Sequence, residues 1–157
     1  MALVYAGCVV RQPVEIQTKF DYSEHKPYME TGENGLKGQG FLRQQGGGIV
    51  TCAGREVLLV PATSFFREAV TAYRLGKNPQ FTEKVDPAFK PIIKRSQCDV
   101  QGNFAFGNLP AGKWFITTQV SWIVNRNTQG GTLMREVTLS NNETIQVLLT
   151  EKDFIAR

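Results

Sequence analysis

The side chains able to bond, bind or react fall into three groups: three cysteines, one histidine and a scatter of aromatic rings. Cys52 and Cys98 each stand beside a turn-forming stretch, Cys52-Ala53-Gly54 and Cys98-Asp99-Val100-Gln101-Gly102. In an oxidising compartment they can pair as a candidate disulfide, and closing a loop of that length adds roughly 3–4 kcal/mol in the chain-entropy treatment. In a cytosolic protein the same residues would be two small buried thiols. The sequence has no CxxC and no cluster of His and Cys, which argues against a zinc site. His25 is the sole imidazole and lies in an expected loop between Glu24 and Lys26, where solvent exposure is the ordinary outcome. A serine or cysteine nucleophile would have only this histidine as an imidazole base, so a hydrolase built on His25 is the enzyme-class alternative. Glu136 and Glu143 have no context that marks a glycosidase pair. Gly46-Gly47-Gly48 lacks the following Lys-Ser/Thr and helix of a phosphate loop and reads as a hairpin turn. The expectation is a chain with no catalytic centre, cofactor or metal. Tyr22, Tyr28, Phe89 and Trp122 are the aromatics that, if exposed, could stack on a sugar or anchor a partner.

Charge adds a second clue. Between Arg67 and Arg95 lie seven basic residues against three acidic ones, so the whole formal charge of +4 sits in that stretch and the remainder is neutral. Such an excess is either a solvated insertion or a surface for an anionic partner. Nucleic acid is not expected, because no helix-turn-helix, RNP or zinc signature accompanies it. With 41% hydrophobic and 20% charged residues in 157, the chain is a folded domain rather than a disordered one.

The elements that would carry these residues are mostly strands. Val14 to Phe20 alternates apolar and polar positions as a half-buried strand does, and Asp21 to Gly35 reads as loop. Leu36 to Leu42, Ile49 to Cys52 and the apolar run Glu56 to Pro61 follow as strands, with Pro61 marking an end or an edge. One helix is expected from about Ser64 to Leu75, capped by Thr63 or Ser64, facing inward through Phe65, Phe66, Ala69, Val70 and Tyr73, and stopped by Gly76. Lys77 to Lys90 is loop-like, so helix and loop form the basic insertion. Strands resume at Ile92 to Cys98, Asn103 to Phe106 and Lys113 to Val124. A polar turn over 125–131 leads to Leu133–Leu139 and Thr144–Leu149, expected as a final hairpin about Ser140 to Glu143.

The most specific stretch runs from Asp99 through Gly102, Phe104, Phe106, Leu109, Pro110 and Gly112 to Trp114 and Ile116. It resembles the hallmark of carboxypeptidase regulatory-like domains, the transthyretin-like (prealbumin-like) sandwich modules. Their pattern is Asp-x-x-Gly-x-Phe-x-Phe, then Leu-Pro-x-Gly and an aromatic-led strand. Gly48 to Pro61 is similar to the first strand pair of such modules. The resemblance covers roughly 36–150 and implies a module with no peptidase activity of its own. The enzymatic relative on that fold, hydroxyisourate hydrolase, ends in Tyr-Arg-Gly-Ser, whereas this chain ends Phe154-Ile155-Ala156-Arg157. At the other end, Leu3-Val4-Tyr5-Ala6-Gly7-Cys8 resembles the close of a bacterial lipoprotein signal, with Tyr5 where a small aliphatic is usual, which makes Cys8 a candidate for lipidation.

These readings combine into a mainly β chain, a seven- to eight-stranded antiparallel β-sandwich of transthyretin-like type with one inserted helix. Residues 1–35 are an N-terminal extension with one strand, 36–150 the sandwich with its basic insertion at about 64–90, and 151–157 a C-terminal tail. The expected role is a non-catalytic structural or protein-interaction module of the bacterial cell envelope, in the periplasm or at the outer membrane or cell surface. Its partner would be an envelope protein or a glycan, with the membrane touched only through an anchor at Cys8. The alternative is a carbohydrate-binding module using exposed aromatics, and the thiol reading of the cysteines leaves the cytoplasm open.

Overall fold

A computed structural model describes residues 10–140 and 142–157; Cys8 and its candidate lipidation lie outside them. The chain folds as a β-sandwich with a helical layer on one outer face. The first sheet is four-stranded and centred on β2 (Asn34–Arg43). It adds β3 (Ile49–Thr51), β7 (Asn103–Leu109) and β10 (Thr144–Leu149). The second is five-stranded in the order β11-β9-β8-β4-β6. Its strands are β4 (Glu56–Pro61), β6 (Lys94–Gln97), β8 (Gly112–Val124), β9 (Asn127–Leu139) and β11 (Phe154–Ala156). Period-two alternation sends Leu36, Leu42, Val57, Leu59, Ile116, Val120, Leu133 and Leu149 into one apolar layer between the sheets. Cys52 and Cys98, 46 residues apart, are joined by a disulfide inside that layer.

One connection differs from expectation. β9 and β10 do not form a hairpin. β9 is flanked by β8 and β11, and β10 crosses to the first sheet, where Thr144 to Leu149 run parallel to Gly35 to Gly40. Alternation alone cannot tell the two placements apart, because Val147 and Leu149 face the same apolar layer from either sheet. The buried side chain of Asn34 decides it. Its Oδ1 accepts from the Glu143 N–H at 3.0 Å and its Nδ2 donates to the Leu109 carbonyl at 3.2 Å. That clip lays β10 beside β2, and within 151–157, expected as a tail, Glu151–Asp153 forms a 3₁₀ turn and Phe154–Ala156 pairs with β9 as β11. Gly38 is also required: a Cβ there would come within 2.5 Å of both the Phe104 ring and the Val147 carbonyl.

The N-terminal segment departs further. Only Pro13–Glu15 is strand (β1), exposed along its length, and it pairs parallel with β5 (Asn78–Gln80) of the insertion instead of joining the sandwich. Ile16 and Phe20 then enter a second apolar cluster with Phe65, Ala69 and Ile92. Within the expected loop, Tyr22–His25 is a short helix (α1) followed by a 3₁₀ turn, Lys26–Met29. The long helix α2 (Ser64–Arg74) lies against the outer face of the second sheet, which is why Phe115 is buried on the side opposite Trp114 and Ile116. A further 3₁₀ turn, Pro87–Ile92, completes the insertion. The expected polar turn over 125–131 contracts to Asn125 and Arg126, both with positive φ as a two-residue hairpin demands, and β9 starts immediately after. Among the described residues no helix is long and apolar enough to cross a membrane.

Candidate functional site

The signature residues occupy one turn and the two strands around it. Asp99 Oδ1 accepts from the backbone N–H groups of Gln101 at 2.8 Å and Asn103 at 2.9 Å, which holds its carboxyl below the usual carboxylate range, the Asn103 bond contributing most. Gly102 has φ +82°, and a Cβ there would meet the Gly40 carbonyl and Thr51 at 2.8 Å. Phe104, Phe106 and Leu109 turn inward to the sandwich layer. Pro110 and Gly112 carry the chain into β8, where Trp114 is fully buried with Tyr28 set edge-on to it at 4.8 Å. These positions build structure; Asp99 and Phe104 also border one shallow surface recess, and Phe106 and Leu109 another.

His25 is not an exposed loop residue. It is 0% exposed, its ring stacked on Phe20 with centroids 3.8 Å apart. Nδ1 lies 2.7 Å from the Asp21 carbonyl, which can only accept, so Nδ1 carries the proton. Nε2 lies 2.8 Å from Thr63 Oγ1. Asp21 caps α1 through the Ser23 and Glu24 N–H groups, and α1 turns the imidazole inward. Glu24, in turn, accepts from the Ser64 N–H at 2.9 Å and so caps α2, the role expected of Thr63 or Ser64. The histidine pins the N-terminal segment to the start of α2.

The four expected aromatics are not gathered into a platform. Tyr28 is half-buried and its hydroxyl donates to the Lys113 carbonyl at 3.1 Å; burial raises its pKa. Phe89 packs on the second cluster, with Tyr22 edge-on to it at 4.9 Å. Trp122 is half-buried at the far end of β8, where it packs on the sandwich core. Glu136 and Glu143 are apart: Glu136 takes a bidentate pair from Arg67 at 2.8 and 3.0 Å, which lowers its pKa, while Glu143 sits in the β9–β10 connection. No cluster of His, Cys, Asp and Glu suited to a metal occurs among the described residues. Of the basic excess, Arg67 and Arg95 are engaged with Glu136 and Glu56.

What the tertiary structure does gather is a groove of about 570 Å³ between α2 and the second sheet. Its floor is the outer face of that sheet, read across the strands. Val60 and Phe115 form one row, Leu58, Thr117 and Met134 the next, and Gln119 with Thr132 the third. The floor therefore grades from apolar near the start of α2 to polar at Gln119, with Arg55 and Glu56 at that end. The wall is Phe66, Val70 and Tyr73 from α2, and Phe81, 49% exposed, from the insertion loop. Tyr73 hydroxyl and Thr132 Oγ1 are 2.9 Å apart, tying wall to floor. The 3.6-residue pattern marks the apolar face of α2 but not what that face covers. Phe81 carried no pattern, and its partners in the groove lie on strands distant in sequence.

No protein-family model matches the chain, and no curated protein matches it in sequence. Solved structures do match. A Pseudomonas aeruginosa protein described as a candidate carbohydrate-binding protein is similar at 25% identity and a TM-score of 0.68, over 85% of this chain and 99% of that one. The major pilin subunit of Bacillus cereus is 14% identical with a TM-score of 0.43, over 77% of this chain and 30% of that one. Chlorocatechol 1,2-dioxygenase from Pseudomonas putida is 8% identical with a TM-score of 0.31, over 92% of this chain and 68% of that one. The first of these shares the sandwich through nearly its whole length.

Proposed function

We propose that this chain is a non-catalytic carbohydrate-binding module of the bacterial cell envelope, and that the groove beneath α2 is its site. The observation that carries the reading is the grading of the groove from aromatic to polar. A pyranose ring has C–H faces that pack on aromatic rings and a rim of hydroxyls that need hydrogen-bond partners. Phe81 and Phe66 offer the first; Gln119, Thr117 and Arg55 the second. The groove's size lies within the roughly 300–1,000 Å³ range of small-molecule sites. Likeness to a P. aeruginosa protein with that description supports the ligand class. The disulfide points to an oxidising compartment, which fits an exported protein, and the Ala6-Gly7-Cys8 motif supports an anchor there. The Asp99 to Trp114 pattern, which resembles that of carboxypeptidase regulatory-like modules, supports a role without peptidase activity.

Glycan-array screening followed by calorimetry tests this. The wild-type chain should bind a defined oligosaccharide, and Phe81→Ala or Gln119→Ala should weaken it roughly tenfold or more, since lost stacking or an unmet polar contact is worth about 1–3 kcal/mol. Absence of any glycan ligand, or a ligand whose binding ignores both substitutions, would reject the groove. A structural or protein-interaction role would then stand as the better reading.

A further inference from the structure

We propose that the end of the sandwich formed by the β8–β9 hairpin docks on an anionic lipid surface. This does not rest on the glycan reading: the tip lies beyond the polar end of the groove, and Arg55 is the one residue common to both. β8 and β9 stay paired from Gly112 and Leu139 out to Val124 and Asn127. Their neighbours stop early: β4 leaves β8 at Thr117 and β11 leaves β9 at Thr132. Trp122 still packs on the sandwich core, and beyond it the last two residue pairs, Ile123–Thr128 and Val124–Asn127, are exposed on both strands and extend roughly 7 Å at the strand rise of about 3.3 Å per residue. At the tip Ile123 is 75% and Val124 45% exposed, and the left-handed pair Asn125-Arg126 turns the chain there. Charge around this tip is predominantly basic. Arg126 is in the turn, Arg55 donates to Ser121 at 2.9 Å, and Arg43 lines a shallow recess with Trp122, beside which Lys152 is exposed. Glu151 in that recess stays ionised, its pKa lowered by its own backbone N–H and by that of Arg43 at 2.7 Å, and the four basic side chains outnumber it.

A projecting apolar turn in a cationic setting suits lipid better than protein. A stable protein interface needs roughly 800 Å² from each partner, far more than two side chains on a turn present. A small wedge entering the headgroup region needs only its own burial, and each basic residue beside an anionic surface adds to the attraction. A lipid anchor at Cys8, if present, would act together with this patch, because one chain alone holds a membrane only marginally.

The test uses the full chain carrying Cys8→Ser, so that no acyl group contributes. It is sedimented with vesicles of phosphatidylcholine alone and of phosphatidylcholine mixed with phosphatidylglycerol. Partitioning should be roughly tenfold higher on the anionic vesicles, the effect of one or two basic side chains at such a surface, and should fall with added salt. Ile123→Ser with Val124→Ser, and separately Arg126→Glu with Lys152→Glu, should each reduce it roughly tenfold at an unchanged melting temperature. Equal partitioning onto both vesicle types, or tip variants that bind like wild type, would overturn the proposal. So would a dimer in sedimentation velocity that the tip variants dissolve, because that places a second copy on the tip.

Discussion

At Asp99 a single side chain closes a local turn, and at His25 one ties together segments distant in sequence. One Asp99 oxygen receives two backbone N–H groups and so closes the turn that starts β7. Gly102 in that turn adopts φ +82° with no room for a Cβ. Gly102→Ala should cost about 1–3 kcal/mol, read as a lowered urea midpoint at unchanged slope. His25 satisfies both ring nitrogens within a site closed to water. His25→Ala removes a stacked ring and leaves the Asp21 carbonyl and Thr63 hydroxyl without it, so a loss of about 2–4 kcal/mol is expected in chemical denaturation. A His25→Ala chain as stable as wild type would contradict the pin.

At the scale of elements, the insertion and the N-terminal segment share one apolar cluster and its bordering hydrogen bonds. Glu68 of α2 accepts from the Gln17 and Thr18 N–H groups at 3.0 and 2.7 Å, and Glu83 accepts from Phe20 at 2.8 Å. Phe65 sits at the centre of their shared cluster, with the Phe20 ring edge-on at 5.3 Å. Phe65→Ala should therefore raise amide exchange across 13–29 and 78–93 while the paired body of β8 and β9 stays protected. Uniform loss of protection would show that the two cores unfold together. The disulfide acts on the other core: Cys52→Ala with Cys98→Ala should lower stability by about 3–4 kcal/mol through the freed unfolded chain, measured by denaturant titration.

For the molecule as a whole, the carboxylates set the acid limit. The pKa values of Asp21, Glu68, Asp99 and Glu136 are all lowered. The leading causes are hydrogen bonds from Ser23 to Asp21, from the Gln17 backbone to Glu68, from the Asn103 backbone to Asp99, and from Arg67 to Glu136. A group whose folded pKa lies below its unfolded one contributes fully above the unfolded value, and that contribution is lost as pH falls through the folded value. The melting temperature should thus stay level above about pH 5 and drop below about pH 4, where carboxylates ordinarily titrate. Glu68→Gln should make that drop shallower. A melting temperature that rises on acidification would contradict these hydrogen bonds.

Features set by local physics are legible in the order of residues. Period-two alternation marked most strands, and the Asp99 to Trp114 pattern marked the turn and the inward-facing phenylalanines. The 3.6-residue pattern and Gly76 bounded α2. Two cysteines beside turns suggested their pairing. Only the tertiary structure decided which sheet β10 joins, because alternation is blind to partners and a buried asparagine made the choice. It alone turned His25 from an exposed base into a buried pin, since stacking on Phe20 and bonding to Thr63 are contacts across distant segments. It alone assembled the groove, whose floor comes from three strands and whose wall comes from an insertion, for no window of sequence carries the distances between them.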